Sequence, residues 1–416
     1  MIAHDVRMAL RGLRRNSGYA LLNVGGLGLG LMCCFLIVLF IQHERSFDSF
    51  HAHNAYLLTA QLPMFESVAV VTPAGVTPSL KAAEPGVDHV VRMIDRYAAP
   101  IRLPNGDVRT VHSFTLADAD VFDVFSLPMV AGDPAMALTA PDGVVLTQTV
   151  ARALFGDADP MGQPLALERE NATLTVTGIL ADLPSNTHLD FGMLASIEGA
   201  RRFAGPDALD DLTNWNYLTY VVLREGVDAQ TVAAGVAERL MTAYEYGPED
   251  AAITAKLRAL PTLRFDSELA RSGRIGARDV RLLWAFGTIA LLILLIACIN
   301  FTNLATARST QRAREIGVRK SLGAERGQLV RQFLSESVLL SSFAVAIGFI
   351  GVVLALPVFN DALGGTSTLT LHQPGTLAVL GAIGLVAGLI AGTYPALYLT
   401  RFRPARVLKG DLAQSG

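Results

Sequence analysis

Glu44, Asp48, His51 and His53 place two carboxylates and two imidazoles within one short segment, a donor set that suits a divalent metal. Their spacing supplies neither an H-x-x-x-H nor a C-x-x-C frame to aim the ligands at one point, so no metal site is assigned and the stretch reads as a solvated juxtamembrane helix start. Nucleophilic chemistry finds as little support: no G-x-S-x-G elbow occurs, and no Ser/His/Asp set stands out by position. A P-loop needs Gly-Lys-Ser/Thr, whereas Lys81, Lys256, Lys320 and Lys409 follow Leu, Ala, Arg and Leu. The chain is therefore expected to be non-catalytic and to hold no cofactor. If it belongs to an energised machine, ATP and magnesium sit in another subunit.

The elements that would carry such residues follow from composition. Of 416 residues, 51% are hydrophobic and 17% charged, with a mean hydropathy of +0.40, which excludes a disordered or wholly soluble chain. The 34 Lys+Arg against 37 Asp+Glu give no excess that would suit nucleic acid. Four runs lack Asp, Glu, Lys and Arg: Ala20 to Ile41, Leu282 to Ala307, Val338 to Phe359 and Thr376 to Thr400. Each can cross roughly 30 Å of hydrocarbon as a helix, the form that satisfies every backbone amide within its own segment. Arg7, Arg11, Arg14 and Arg15 precede the first run, Arg401, Arg403, Arg406 and Lys409 follow the last, and seven Lys/Arg lie between Arg308 and Arg331. The positive-inside rule puts these three segments, and both termini, in the cytoplasm. The first run exceeds a typical signal-peptide core and lacks a clean cleavage site, so an uncleaved anchor is expected.

The resulting plan is a cytoplasmic interfacial helix (1–19), spans over 20–42, 282–307, 338–359 and 376–400, an extracytoplasmic domain (43–281), a cytoplasmic segment (308–337), a short external loop (360–375) and a cytoplasmic tail (401–416). In the first helix, Ile2, Val6, Ala9, Leu10 and Leu13 share one side, opposite the arginines, as at a lipid headgroup surface. The fold class is an α-helical four-span membrane domain, one plus three helices, with a large α+β domain inserted between spans 1 and 2. Within that domain, Gly143–Thr147, Ala172–Ile179 and Tyr217–Leu223 read as strands. Thr147 is placed to cap a helix from Gln148 to Phe155 that stops at Gly156, and Asp228–Tyr244 has helical spacing with Val232, Val236, Leu240 and Met241 on one face. Cys33, Cys34 and Cys298 all fall in spans, so the domain folds without disulfides. It holds 31 Asp+Glu against 19 Lys+Arg, and the near-neutral total therefore conceals an acidic external domain above a basic cytoplasmic face.

Several stretches together resemble the MacB/FtsX-like permeases of ATP-binding cassette (ABC) systems. They are Ala9–Asn16, the glycine-rich first span, Glu44-Arg-Ser-Phe-Asp-Ser-Phe-His51, Ala131-Gly-Asp-Pro134, Val144–Thr147, Leu154-Phe-Gly156, Asp159-Pro160, Val176–Pro184, Arg314–Ala324, Gln332–Ser337, Pro395–Tyr398 and Arg403-Pro404. The resemblance covers essentially the whole chain in the family's order. It implies a bacterial inner-membrane subunit that couples ATP hydrolysis by a cytoplasmic ATPase to movement of a MacB-like periplasmic core domain, a mechanotransmission that drives export or extraction of a periplasmic or membrane substrate. An FtsX-like regulator that transmits ATPase state to an external protein is the alternative. Implied partners are the ABC ATPase, a second permease copy or related half permease, a periplasmic adaptor and the lipid bilayer, with no nucleic acid. Long family members carry the one-plus-three unit twice; one unit is present here, as in a half permease or one half of a split pair.

In this family the segment corresponding to Arg314, Glu315, Ile316, Gly317, Arg319, Lys320, Leu322 and Gly323 docks on the ATPase. A short helix with apolar anchors among cations, capped by Gly323, is expected there. Topology alone needs only the cations. Gly26-x-x-x-Gly30 and Gly384-x-x-x-Gly388-x-x-x-Gly392 allow close helix approach, either within the chain or in a dimer.

Overall fold

The computed structural model describes residues 17–62, 68–96, 98–169, 171–201, 205–245, 253–271, 275–321, 326–362 and 374–400. Residues 1–16 of the interfacial helix expected over 1–19, most of the external loop and the basic tail lie outside them; residues 17–19 belong to the first long helix. The chain divides into two units: residues 1–43 with 281–416, and residues 44–280.

Among its described residues the first unit holds four helices: α1 (Ser17–Arg45) and three that follow the second unit in sequence. Those three are numbered α7 (Val280–Ser321), α8 (Arg326–Ala362) and α9 (Pro374–Thr400), after the five helices α2 to α6 described below for the intervening domain. Stretches of the first three, Gly18–Arg45, Val280–Ala307 and Leu334–Asp361, are long and apolar enough to cross a membrane, and Gly375–Ala391 is a shorter apolar helix. Trp284, Ile296, Leu354 and Val358 are 67 to 75% exposed, a surface that water penalises and a hydrocarbon solvent accepts.

Small residues bring these helices together. A Cβ added at Gly30 would sit 2.5 Å from the Ala297 Cβ of α7, and one at Gly26 would sit 3.2 Å from Asn300 Nδ2. Gly28 lies against Ala344 and Ile347 of α8, while Gly384 and Gly388 of α9 lie against Val345 and Ser341. Gly26, Gly30, Gly384 and Gly388 thus each face a neighbouring helix of the same chain; the surroundings of Gly392 lie outside the described side chains. Leu27, Leu31, Phe35, Phe301, Ala344, Val352, Ala387 and Ala391 fill the interior.

One sequence expectation changes here. Among the described residues, 314–321 form no separate short helix; α7 continues without a break through Lys320 to Ser321. No glycine or proline interrupts residues 301–316, so nothing stops the helix where its apolar stretch ends. Leu322 and Gly323 fall outside the described residues, as do the side chains of Arg314 to Lys320.

The second unit is a mixed sheet covered on both faces. Its strands are β1 (Ala55–Gln61), β2 (Thr72–Pro73), β3 (Val87–Arg96), β4 (Ala99–Arg102), β5 (Val108–Val111), β6 (Phe114–Ala117), β7 (Met129–Gly132), β8 (Gly143–Thr147), β9 (Pro164–Leu167), β10 (Ala172–Leu180), β11 (Met193–Ser196), β12 (Trp215–Leu223) and β13 (Thr254–Ala259). They run in the order β13-β1-β12-β3-β6-β11-β8-β10-β9-β4-β5, with β2 on β12 and β7 on β10. Only β8 with β10 and β6 with β11 pair in parallel among the described strands. The helices are α2 (Val76–Ala83), α3 (Val121–Val124), α4 (Gln148–Phe155), α5 (Ala229–Ala243) and α6 (Leu260–Leu263).

Burial on both faces explains the uninterrupted apolar strands. Val145 and Leu194 point into one core with Val121, Phe125 and Tyr220, while Val144, Leu146, Met193 and Ala195 point into another. Val76, Leu80, Val232, Val236 and Leu240 of α2 and α5 cover Leu58, Val90 and Val221. Local capping follows the sequence: Val150 N donates to Thr147 Oγ1 at 3.4 Å, Thr231 N donates to Asp228 Oδ2 at 3.1 Å, and Gly156 takes a positive φ of 64°.

The helix contacts yield a paired prediction. Gly30→Leu should destabilise the detergent-solubilised protein by about 1–3 kcal/mol through overpacking against Ala297, whereas Gly25→Ala, with no atom within 4 Å of the added carbon, should change stability by less than about 0.5 kcal/mol. Thermal unfolding of the two variants checks this.

Candidate functional site

Glu44 and Asp48 are 1% and 2% exposed, so the segment past the first span is not solvated as expected but embedded in the second unit. A buried carboxylate must be compensated, and each finds its partners far along the chain. The Asp48 backbone N–H donates to Asn186 O at 2.9 Å, and Asn186 Nδ2 donates back to Ser46 O and Oγ. Asp48 itself has φ +53°, a left-handed conformation that aspartate tolerates better than most residues. That turn aims its carboxylate into the domain. Oδ1 accepts from Thr187 Oγ1 at 2.7 Å and from His188 N at 3.2 Å, and Oδ2 lies 2.9 Å from His188 Nδ1. His51 Nε2 is 3.7 Å from Oδ1.

The far side of His188 reaches Tyr220, with Nε2 2.8 Å from the hydroxyl. Burial, and then the charges of Asp48 and Asp95, raise the Tyr220 pKa, so its hydroxyl stays protonated. A neutral His188 that accepts from Tyr220 carries its proton on Nδ1, and a doubly protonated one does too; either way an N–H faces Asp48. Carboxylate, imidazole and hydroxyl stand in the order of an acid–base relay. Tyr220 is fully buried, however, so the chain ends inside the core and serves to fix structure. His51 Nδ1 accepts from Ser126 N at 3.1 Å, and Phe125 packs edgewise on both His51 and Tyr220.

Burial alone would raise the Asp48 pKa, but the charge of His188 and hydrogen bonds from His188, His51 and Thr187 outweigh it and hold the carboxyl well below its usual range.

A second node forms around Arg264, just beyond α6. Its Nε and Nη2 grip Glu44 Oε2 and Oε1 at 2.7 and 2.9 Å, a bidentate pair. Nη1 donates to Gly276 O at 2.6 Å, and Arg264 O accepts from Arg278 N at 2.7 Å. The Phe47 ring lies 3.8 Å from the guanidinium carbon. The incoming chain at Glu44–Phe47 and the outgoing chain at Gly276–Arg278 thus meet on one arginine. Glu44 and Asp48 serve different partners and His53 is exposed, so the four residues do not converge; among the described residues no group of three His, Cys, Asp or Glu could hold a metal.

Neither node was visible from spacing, because His188 and Arg264 stand 140 and 220 residues from their partners. The one available signal is that Glu44–His51 and the stretch leading to His188 both carry clustered polar residues.

Along the chain, two apolar helices precede and follow a mixed-sheet domain whose incoming and outgoing segments are tied together, and sequence comparison gives this order of elements a family. Residues 20–239 match the MacB-like periplasmic core domain and residues 287–404 the FtsX-like permease C-terminal domain. The chain belongs to the MacB/FtsX-like ABC transporter permeases, a family of inner-membrane proteins.

An uncharacterized ABC transporter permease, YknZ of Bacillus subtilis (strain 168), is 26% identical over 64% of this chain and 61% of its own length. The pyoverdine export ATP-binding/permease protein PvdT of Pseudomonas savastanoi pv. phaseolicola is 28% identical over 69% of this chain and 41% of its own. The macrolide export ATP-binding/permease protein MacB of Agrobacterium fabrum is 25% identical over 79% of this chain and 47% of its own. The alignments thus span about half of these relatives. Among solved structures, the extracellular domain of YknZ matches with a TM-score of 0.36 at 14% identity, over 49% of this chain and 99% of that one. The periplasmic region of MacB from Actinobacillus actinomycetemcomitans matches with 0.34 at 13%, over 50% and 90%.

The Asp48 node makes stability pH-dependent. With its folded pKa below the unfolded one, the unfolded chain binds the extra proton in acid, so the contribution is complete above the ordinary carboxylate pKa of about 4 and drains away below it. Asp48→Asn should lower stability near neutrality by on the order of 3 kcal/mol and flatten the acid limb of the profile. Thermal unfolding of the solubilised full-length protein between pH 3 and 7 checks both.

Proposed function

We propose that the chain is a mechanotransmission permease: ATP binding and hydrolysis in a cytoplasmic partner displace the helices, and the helices displace the external domain, which drives a substrate already on the outer side. The observation that carries this reading is the continuity of α7. One helix of 42 residues begins where the external domain ends, at Val280, and runs through the apolar stretch to Ser321. At 1.5 Å per residue it is about 63 Å long, and a continuous helix passes an axial or rotational displacement from one end to the other without a hinge to absorb it. Its last part contains Arg314, Glu315, Ile316, Gly317, Arg319 and Lys320, the segment that resembles the family's ATPase-docking element.

Export or extraction is favoured over FtsX-like regulation because two of the relatives, PvdT and MacB, carry export in their names. The spans also hold no file of charges that would line an ion path. In this scheme both termini are cytoplasmic, ATP and magnesium belong to the partner, and a second permease copy or half permease completes the assembly, with a periplasmic adaptor as a further component.

Replacing Ile316 by Asp, or deleting Arg314 to Gly323, should abolish copurification of the ATPase while the permease still inserts in the membrane. Undiminished copurification would sink the docking assignment. Export that persists in a strain deleted for the permease would favour the regulatory alternative.

A further inference from the structure

We infer that Arg264 is a positioning residue that locks the incoming and outgoing chains of the external domain into one lever; the inference rests on the mechanotransmission reading above. Two single-chain connections made of irregular backbone are compliant when independent, because each residue adds two soft torsions. Displacements of α1 and α7 would then be absorbed in residues 46–54, 264–268 and 275–279 before they reached the sheet. The observed geometry removes that compliance. Glu44, the next-to-last residue of α1, is held bidentately by Arg264, and the same guanidinium holds Gly276 O, four residues before α7 begins. Arg278 closes the set from both ends, donating its backbone N–H to Arg264 O and placing Nη1 3.6 Å from Glu44 Oε1.

The clamp is anchored rather than floating. Arg264 follows α6 directly, and Leu260 and Leu263 of α6 are buried in the sheet's core. β13, which leads into α6, pairs along β1 from Tyr56 to Gln61, the strand that the incoming chain enters. Burial keeps the ion pair from being screened by salt, and the planar guanidinium fixes direction as well as distance, which a lysine would not. Gly276, at φ +61°, lets its carbonyl come this close, since a Cβ there would lie 3.2 Å from Arg264 Nη1.

The test uses the full-length protein in lipid nanodiscs with the ATPase that copurifies with it. Spin labels go on exposed Leu21→Cys and Met136→Cys, with Cys33, Cys34 and Cys298 replaced by Ser. Two quantities are read together: the nucleotide-dependent change in the label-to-label distance distribution, between nucleotide-free and vanadate-trapped states, and the rate of ATP hydrolysis. Glu44→Gln and Arg264→Lys should at least halve the distance change while hydrolysis stays within twofold of wild type. The exchanged pair Glu44→Arg with Arg264→Glu should recover part of it, and Lys256→Gln, at an exposed ion pair, should leave both readouts unaltered. General loss of folding would lower hydrolysis and movement together, and thermal unfolding of each variant identifies it. A full-sized distance change in both single variants would overturn the clamp and leave the proposed function standing. No distance change in the wild type would overturn that function, and the clamp with it.

Discussion

A carboxylate taken out of water must meet a cation or several hydrogen-bond donors, and at the start of this domain two of them, Glu44 and Asp48, meet that requirement with residues 220 and about 140 positions further along the chain. Everything else in the unit must allow those meetings. The loop from Ala181 to Thr187 has to deliver His188 under the Asp48 turn, and β13 and α6 have to deliver Arg264 beside Glu44. The sheet order accomplishes the second delivery by placing β1 between β12 and β13, so that the first strand and the last are neighbours.

The two nodes divide their work. The one at Asp48 is closed, with its relay ending on a fully buried tyrosine, and it fixes the turn in a single conformation. The one at Glu44 is a junction, because its arginine serves both chain crossings. A buried pair of this kind contributes little net stability compared with an apolar substitute of equal shape, but it imposes direction. Under the proposed function, direction is what a domain fastened to moving helices requires.

What the amino-acid sequence disclosed was local. Thr147 and Asp228 announce helix starts because a cap acts within three residues, and the four apolar runs announce helices because lipid leaves the backbone no other way to satisfy itself. Strand pairing is a different matter. Nothing near Ala55 says that its strand will lie against Val222 on one side and Thr254–Ala259 on the other. The junction at Arg264 was illegible for the same reason, and the polar stretch at Glu44 to His51 therefore looked like a solvated one. The course of α7 past its apolar run was readable in principle from the lack of glycine and proline over residues 301–316, but the charged composition there suggested a boundary that helix propensity does not impose.

The placement of β1 between two late strands bears on biogenesis. Glu44 leaves the ribosome 220 residues ahead of Arg264. At roughly 5–20 residues per second, the first span and its adjoining strand wait roughly ten to forty seconds for their partners. During that interval the newborn chain presents an open strand edge and an uncompensated carboxylate on the outer side of the membrane. The acidic surplus of the domain gives such half-made chains a like charge, which opposes their association before the sheet can close.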